Sequence, residues 1–460
     1  MSILAKYMEE EKHHKIPLIK KIAFALGQVG WSLAVFGFTE LIYFFYLPPE
    51  NGKPLFKSYV YQGALLKIFT IVGILSAVGY IISAFMEPIV GSWSDRSTFK
   101  FGKRKTFMAF AIFPFAFLSA AVFFPIVDGL HFLNIIWLSV LVLLAFTVMC
   151  FYTTPYNAMI NEITHNEKER LHIIMMLSIA YALGIGIGQT INIILSAFES
   201  SYSHESVFQI SVAIYASISL VLMAMPVLFV EDNSGKNINQ NEIQYDAKHT
   251  GIFDSLNEVW SNKNFRIFAI VELIYWFPQK IFTIAVPYFV SALLRLDNVY
   301  TAIVLYSVGI VSLLFYPIID KLVERYGKRK IILSAFVGLI ISFGFTATIG
   351  LYKLPPILFV IIYVIINTYP MAVLGILPMA LTGDNAEDDF KRTGIAKNAS
   401  YYALKTFMMK MGIAITSLIF PSLLLLGKSP ENPLGVRLVA IACMVANLIA
   451  FLLMRKYKDV

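Results

Sequence analysis

The sequence predicts an all-α integral membrane protein whose twelve transmembrane helices form two six-helix halves. Three observations carry that prediction. Of the 460 residues, 58% are hydrophobic and only 14% charged, and the mean hydropathy is +0.71; a soluble domain of that make-up has too few polar groups to cover its surface. The apolar residues also come in separate runs, each near or above the ~20 residues that a bilayer-spanning helix needs. Finally, a charged motif occurs twice, as SDRSTFKFGKRKTF from Ser94 and as DKLVERYGKRK from Asp320. In both copies GKRK starts seven residues after the Asp, and Asp95 and Asp320 lie about half the chain apart. The punctuation recurs because the unit recurs.

The first six spans fall at 19–47, 63–94, 106–127, 131–161, 171–198 and 206–230. The second six fall at 265–294, 299–319, 331–351, 355–382, 399–426 and 434–454. Helix is the expected form, because every backbone polar group must be paired inside lipid. A β-barrel would alternate apolar and polar residues along short strands, and these runs do not. The one long polar segment, EDNSGKNINQNEIQYDAKHTGIFDSLNEVWSNKN, reads as a linker. The chain thus divides into an N-terminal arm (1–18), a first bundle (19–230), a linker (231–264), a second bundle (265–454) and a tail (455–460).

Lys and Arg set the orientation. With the N-terminus inside, the cytoplasmic side receives Lys20, Lys21, both GKRK clusters, the linker, Lys391, Arg392 and the terminal RKYK. The other side keeps Lys53, Lys57, Arg295, Lys353, Lys428 and Arg437, a bias of about four to one. A multi-pass protein of the cell membrane with both termini cytoplasmic is expected. The net charge of +8 belongs to that orientation and not to a nucleic-acid partner.

Several chemistries lack residues to carry them. Cys150 and Cys443 sit far apart in apolar runs, and His13 and His14 form a solvated arm, so neither a disulfide framework nor a metal site is expected. The glycines of YALGIGIGQ (181–189) have no strand before them and read as close helix packing, not as a dinucleotide loop. AVGY (77–80) lies inside a long helix, where a selectivity filter cannot form. No HExxH, P-loop or GxSxG occurs, so the chain is not expected to be an enzyme or to hold a cofactor. The N-terminus, MSILAKYMEEEKHHKIPLIKK, is too charged for a signal peptide.

The repeated loop has a second use. A carboxylate at the turn can pair with the base that opens the next span, Asp95 with Arg104 and Asp320 with Arg329. Such clusters on one membrane face can latch the two halves when that face is shut.

Twelve spans in two related halves, with an Asp and a GKRK cluster after spans two and eight, resemble the major facilitator superfamily. The stretch EPIVGSWSDRSTFKFGKRKTF is similar to the glycoside–pentoside–hexuronide:cation symporters, the melibiose permeases among them. PYNAMINEITHNEKER, NKNFRIF, and GDNAEDDFKRTG followed by YYALKTFMMKMG agree with the same family. The resemblance covers nearly the whole chain. It implies cation-coupled uptake of a sugar or glycoside by alternating access, with the solute held between the halves.

Intramembrane ionisable groups are costly and usually functional. Glu40, Glu87, Glu272 and Lys410 stand at depth, with Lys280 and Lys405 behind them. Glu87 shares a face with Ser83 and Tyr80, and Lys410 shares one with Thr406 and Tyr402. Spans two and eleven meet in facilitator folds, so Glu87 and Lys410 are expected to compensate each other's charge. Set beside the melibiose permeases, Glu87 matches a cation-binding acid and Lys410 the lysine of span eleven. Other family positions have lost their charge: acids fall on Ser32, Ser83 and Thr153, an Asn falls on Met86, and an arginine falls on Ser178. One acid beside a Met is a poor sodium cage, so a proton is favoured over sodium.

For the solute, the chain offers Gln28, Ser32, Thr153, Asn157, Ser178, Gln189, Asn367, Asn398, Tyr402 and Thr406. Glu272, Trp276 and Gln279 add a sugar-like platform on one face of span seven. Glu40 and Lys405 can also snorkel to water from their helix ends. A monomer is expected. The losses at family positions keep two other readings open, a carrier of lipid-like or other non-sugar solutes and a transport-dead receptor.

Overall fold

The computed structural model describes residues 16–49, 55–65, 68–164, 167–198, 202–231, 258–352, 355–394 and 397–459. The N-terminal arm up to residue 15 and linker residues 232–257 lie outside the described residues. Twelve helices have the length and apolarity to cross a membrane. In the first half they are α1 (Leu18–Tyr46), α2 (Ile71–Arg96), α3 (Lys103–Ala121), α4 (Phe132–Ile163), α5 (Glu167–Gln189, continued by Ile191–Ala197) and α6 (His204–Phe229). In the second they are α7 (Lys263–Ile284, continued by Val286–Tyr288 and a π-helical turn Phe289–Leu293), α8 (Val299–Tyr326), α9 (Lys328–Thr348), α10 (Pro356–Thr393), α11 (Asn398–Leu424) and α12 (Leu434–Met454).

Local chemistry sets several boundaries. The Thr70 hydroxyl accepts from Gly73 N at 3.1 Å and starts α2 at Ile71, later than the apolar run begins. The Asn262 side chain accepts from the amides of Asn264 and Phe265 and starts α7. Two ends differ from expectation. α8 runs on to Tyr326, where Gly327 at φ 82° turns the chain, so Asp320 lies inside the helix. α10 runs on to Thr393 and stops at Gly394, φ 70°, so GDNAEDDFKRT is helix and not loop. In both cases the polar residues mark the helix leaving the apolar layer, which composition alone reads as the helix ending.

Each half is a bundle. α1 packs on α5 and α6, α4 on α2 and α3, and α6 on α3. In the second half α7 packs on α11 and α12, and α10 on α8 and α9. The halves meet mainly along α2 and α11, with smaller contacts of α1 with α7 and α5 with α8. Several of these cross-contacts lie toward the end away from the GKRK turns. There the Tyr288 hydroxyl donates to Leu47 O at 2.6 Å, Tyr43 meets Phe420 edge-on at 5.8 Å, and the Tyr306 hydroxyl donates to Gly186 O.

The glycines of YALGIGIGQ do pack helices. A Cβ on Gly184 would fall 2.5 Å from Val29 O and against the Ser32 hydroxyl, and one on Gly188 would meet the Phe36 ring. Gly186, between them, faces α8 of the other half. At the GKRK end the tail folds back: Asn264 Nδ2 donates to Lys458 O at 2.9 Å, and Asn385 Nδ2 to the Tyr457 hydroxyl at 2.7 Å. Arg329 donates to Met454 O and Arg455 O, the end of α12.

Because Gly184 has no room for a side chain, Gly184→Leu should force α5 off α1 at an overpacking cost of about 1–3 kcal/mol. The melting temperature of the detergent-purified protein, read by size-exclusion after heating, should fall by several degrees. An unchanged value would show that the crossing can relax.

Candidate functional site

Three acid–base pairs lie within the spans, and each links two helices. Glu87 Oε1 on α2 and Lys410 Nζ on α11 are 2.8 Å apart, joining the two halves. The side chains are 23% and 7% exposed. The contact is close but off the hydrogen-bonding angle, an ion pair and not a directed hydrogen bond. Phe85 and Phe407 meet edge-on beside it at 5.7 Å, and Pro88 follows Glu87 within the helix. Ser83 lies one turn away, fully buried, with its hydroxyl donating to Tyr80 O at 2.9 Å and its own carbonyl near the Cys150 thiol.

The second pair joins the halves again. Lys280 on α7 meets Glu40 on α1, whose other oxygen accepts from the Thr283 hydroxyl at 3.3 Å. The Lys280 ammonium also lies 5.9 Å from the centre of the Tyr80 ring. Both side chains are enclosed, so Glu40 does not snorkel to water. The third pair stays within one half. Glu272 on α7 is fully buried, accepts from Trp276 Nε1 at 2.9 Å, and has Lys405 Nζ of α11 at 3.6 Å. Lys405 therefore points to Glu272 and not to a helix end.

The remaining sequence-predicted residues are scattered. Ser32 is buried, donates to Gln28 O at 2.8 Å and packs against Gly184, which takes it out of open space. The Thr153 and Ser178 hydroxyls return to carbonyls of their own helices, at Met149 and Ile174. Gln28 is half-buried and Asn157 exposed. Tyr402 and Thr406 are half-buried on α11, the Tyr402 hydroxyl lying against Gly383 of α10. The Asn398 side chain lies outside the described residues. Glu272 and Trp276 hold together as predicted, but Gln279 reaches across to Met371 of α10, its Nε2 3.4 Å from the sulfur. Pro278, which offers no backbone N–H, lies between them within the continuous helix.

The two charged turns are not equivalent. Arg104 is buried and meets Asp95, Glu162 (2.9 Å) and the Ser94 hydroxyl (2.8 Å), joining α2, α3 and α4. The expected Asp320–Arg329 pair does not form. Asp320 is exposed and lies nearly two turns back from the end of α8, while Arg329 is drawn to the carbonyls that close α12. Lys328 takes the bridging role instead, with Asp384 of α10 at 2.7 Å. Each of these pairs joins helices of one half.

The Glu40–Lys280 contact was not anticipated. The signal was available, since three acids and three lysines at depth must neutralise one another. Among the described residues no group of His, Cys, Asp and Glu could hold a metal ion.

The profile of the MFS/sugar transport protein family matches residues 36–428. A putative sulfoquinovose importer of Salmonella typhimurium is 24% identical over 88% of this chain and 80% of its own. An isoprimeverose transporter of Lactiplantibacillus pentosus is 24% identical over 76% of this chain and 72% of its own. Among solved structures, a D-xylose–proton symporter superposes with a TM-score of 0.65 at 13% identity, covering 96% of this chain and 98% of that one, a likeness of fold. With twelve membrane-length helices in two halves and a sugar-transport profile over most of its length, the chain belongs to the MFS/sugar transport protein family, the glycoside–pentoside–hexuronide type of major facilitator.

Proposed function

We propose that this carrier couples a cation gradient, by preference of protons, to uptake of a sugar or glycoside by alternating access. The observation that carries this reading is the Glu87–Lys410 pair, an acid and a base at mid-depth, one on each half. A cation that loads Glu87 removes Lys410's counter-charge and so changes the link between the halves. The free energy of loading is thereby available to favour one arrangement over the other. A single glutamate beside a lysine and Met86 suits a proton better than sodium, which wants several hard oxygens. The sugar-transporting relatives support the solute class.

The inter-half contacts fit a resting form shut at the end away from the GKRK turns. With both termini cytoplasmic, that end faces outward, and Glu40–Lys280 is one of its ties. Among the described residues Arg104 meets Asp95 and Glu162, and Lys328 meets Asp384, each within its own half, in keeping with an open cytoplasmic face. The solute would lie between the halves near Trp276, Tyr402 and Thr406. The reading is of a monomer within the lipid bilayer.

In proteoliposomes, Glu87→Gln should lower gradient-driven accumulation of a transported glycoside within the about 5–150-fold range of such couplings, while counterflow without a gradient persists. Loss of both activities together would mean that Glu87 serves folding or solute binding. Glu40→Gln and Lys280→Met should each speed labelling of a Leu47→Cys reporter by a membrane-impermeant maleimide outside intact cells. The double exchange Glu40→Lys with Lys280→Glu should slow it again. If labelling of the folded single variants stays at the parental rate, the pair is no tie.

A further inference from the structure

Glu272 is the most deeply enclosed acid of the three pairs and the least well matched. None of its surface is exposed, and its one close, well-directed hydrogen bond is to Oε2, from Trp276. Oε1 is buried with no hydrogen-bond partner, and its cation, Lys405, stands off at 3.6 Å. Ammonium–carboxylate hydrogen bonds close to about 2.7–2.9 Å. An enclosed carboxylate is tolerated when its cation is close and both oxygens are met. Glu40 comes nearer that condition, with Lys280 on one oxygen and Thr283 on the other, and Glu87 touches its lysine while partly open. The charged group that faces Glu272 from a packed helix is Lys405 on α11; α7 itself adds Trp276 and Tyr275.

We propose that Glu272 is a second proton-binding carboxyl, separate from Glu87, and that taking up a proton there releases Lys405. The step is simple: a proton from water bonds to the unpartnered Oε1, Lys405 stays an ammonium, and the ion pair becomes a neutral acid beside a free cation. Lys405, 12% exposed, is the one member of the pair with access beyond the α7–α11 seam.

The position gives this proton a task. α11 packs on α7 of its own half and on α2 of the other. It carries Lys405 toward the first and Lys410 toward the second. Protonation at Glu272 loosens α11 from its own half while its tie to α2 is untouched; loading at Glu87 does the reverse. Two sites on one helix then set which half α11 follows.

Infrared spectra of the purified, solute-free protein over a pH series test the first part without assuming coupled transport. The parent should show a protonated-carboxyl carbonyl band, growing as pH falls, that Glu272→Gln lacks. The amide oxygen of Gln still accepts from Trp276. Lys405→Met, with the cation gone, should keep the band to higher pH, and this arm stands if the Gln variant fails to fold. Identical difference spectra for parent and variants would make the contact a static ion pair and overturn the proposal. The second part, which rests on the proposed symport, is read as protons per solute from reversal potentials. Glu272→Gln should lower the count by one, and an unchanged count in a protein that shows the band would confine the proton to a non-transport role. If no variant, Glu87→Gln included, alters a parental count of zero, proton symport fails while the band still decides Glu272.

Discussion

A charge inside the apolar layer must find a counter-charge, and that requirement organises the interior of this protein. Three glutamates and three lysines within the spans, buried or partly so, meet one to one across helices. Each pair sits between helices because one helix cannot comfortably supply both members at contact distance and still bury its apolar faces. Helix positions follow: α11 lies between α2 and α7 with a lysine for each, and α7 offers an acid to α11 and a base to α1. Remove the pairing and the apolar packing would still gather helices, but nothing would fix which face of α11 meets which neighbour.

The pairs differ in kind. Two cross between halves and one does not, so the proposed rearrangement of the halves would strain two of them and need not touch the third. Apolar contacts cannot supply such a distinction, since lipid competes with them on equal terms and helix association relies on close approach instead. Gly184, Gly188 and Gly73 show that approach, each with backbone or side-chain atoms of a neighbouring helix where a Cβ would stand. Close approach gives rigid bundles, and charge gives the bundles a reason to prefer one arrangement.

Much of this was legible in the sequence. The twelve spans, the two halves and the Asp…GKRK repeat follow from periodicity and composition, because lipid imposes a length and a polarity that few other environments impose. The Glu87–Lys410 contact was expected from the family's arrangement of spans two and eleven, and the geometry places them together. For Glu40 the sequence shows that a buried base must answer it, but partners on different helices leave no spacing that picks Lys280 among the three lysines at depth. Ser32 was misjudged for the opposite reason, since a serine on a promising face is indistinguishable from one that packs against a glycine. The Asp320–Arg329 pairing failed because symmetry of sequence was taken for symmetry of structure, while the tail, present in one half only, claims Arg329.

That tail changes the mechanics of the second half. Residues 457–459 bond to the starts of α7 and α9 and to α10, and Arg329 ties α9 to the end of α12. Four helices are stapled together at one end by the five residues 455–459, which follow the last span. Bending is therefore pushed away from that end, and the second bundle should swing as a stiff lever whose fulcrum lies along α2 and α11.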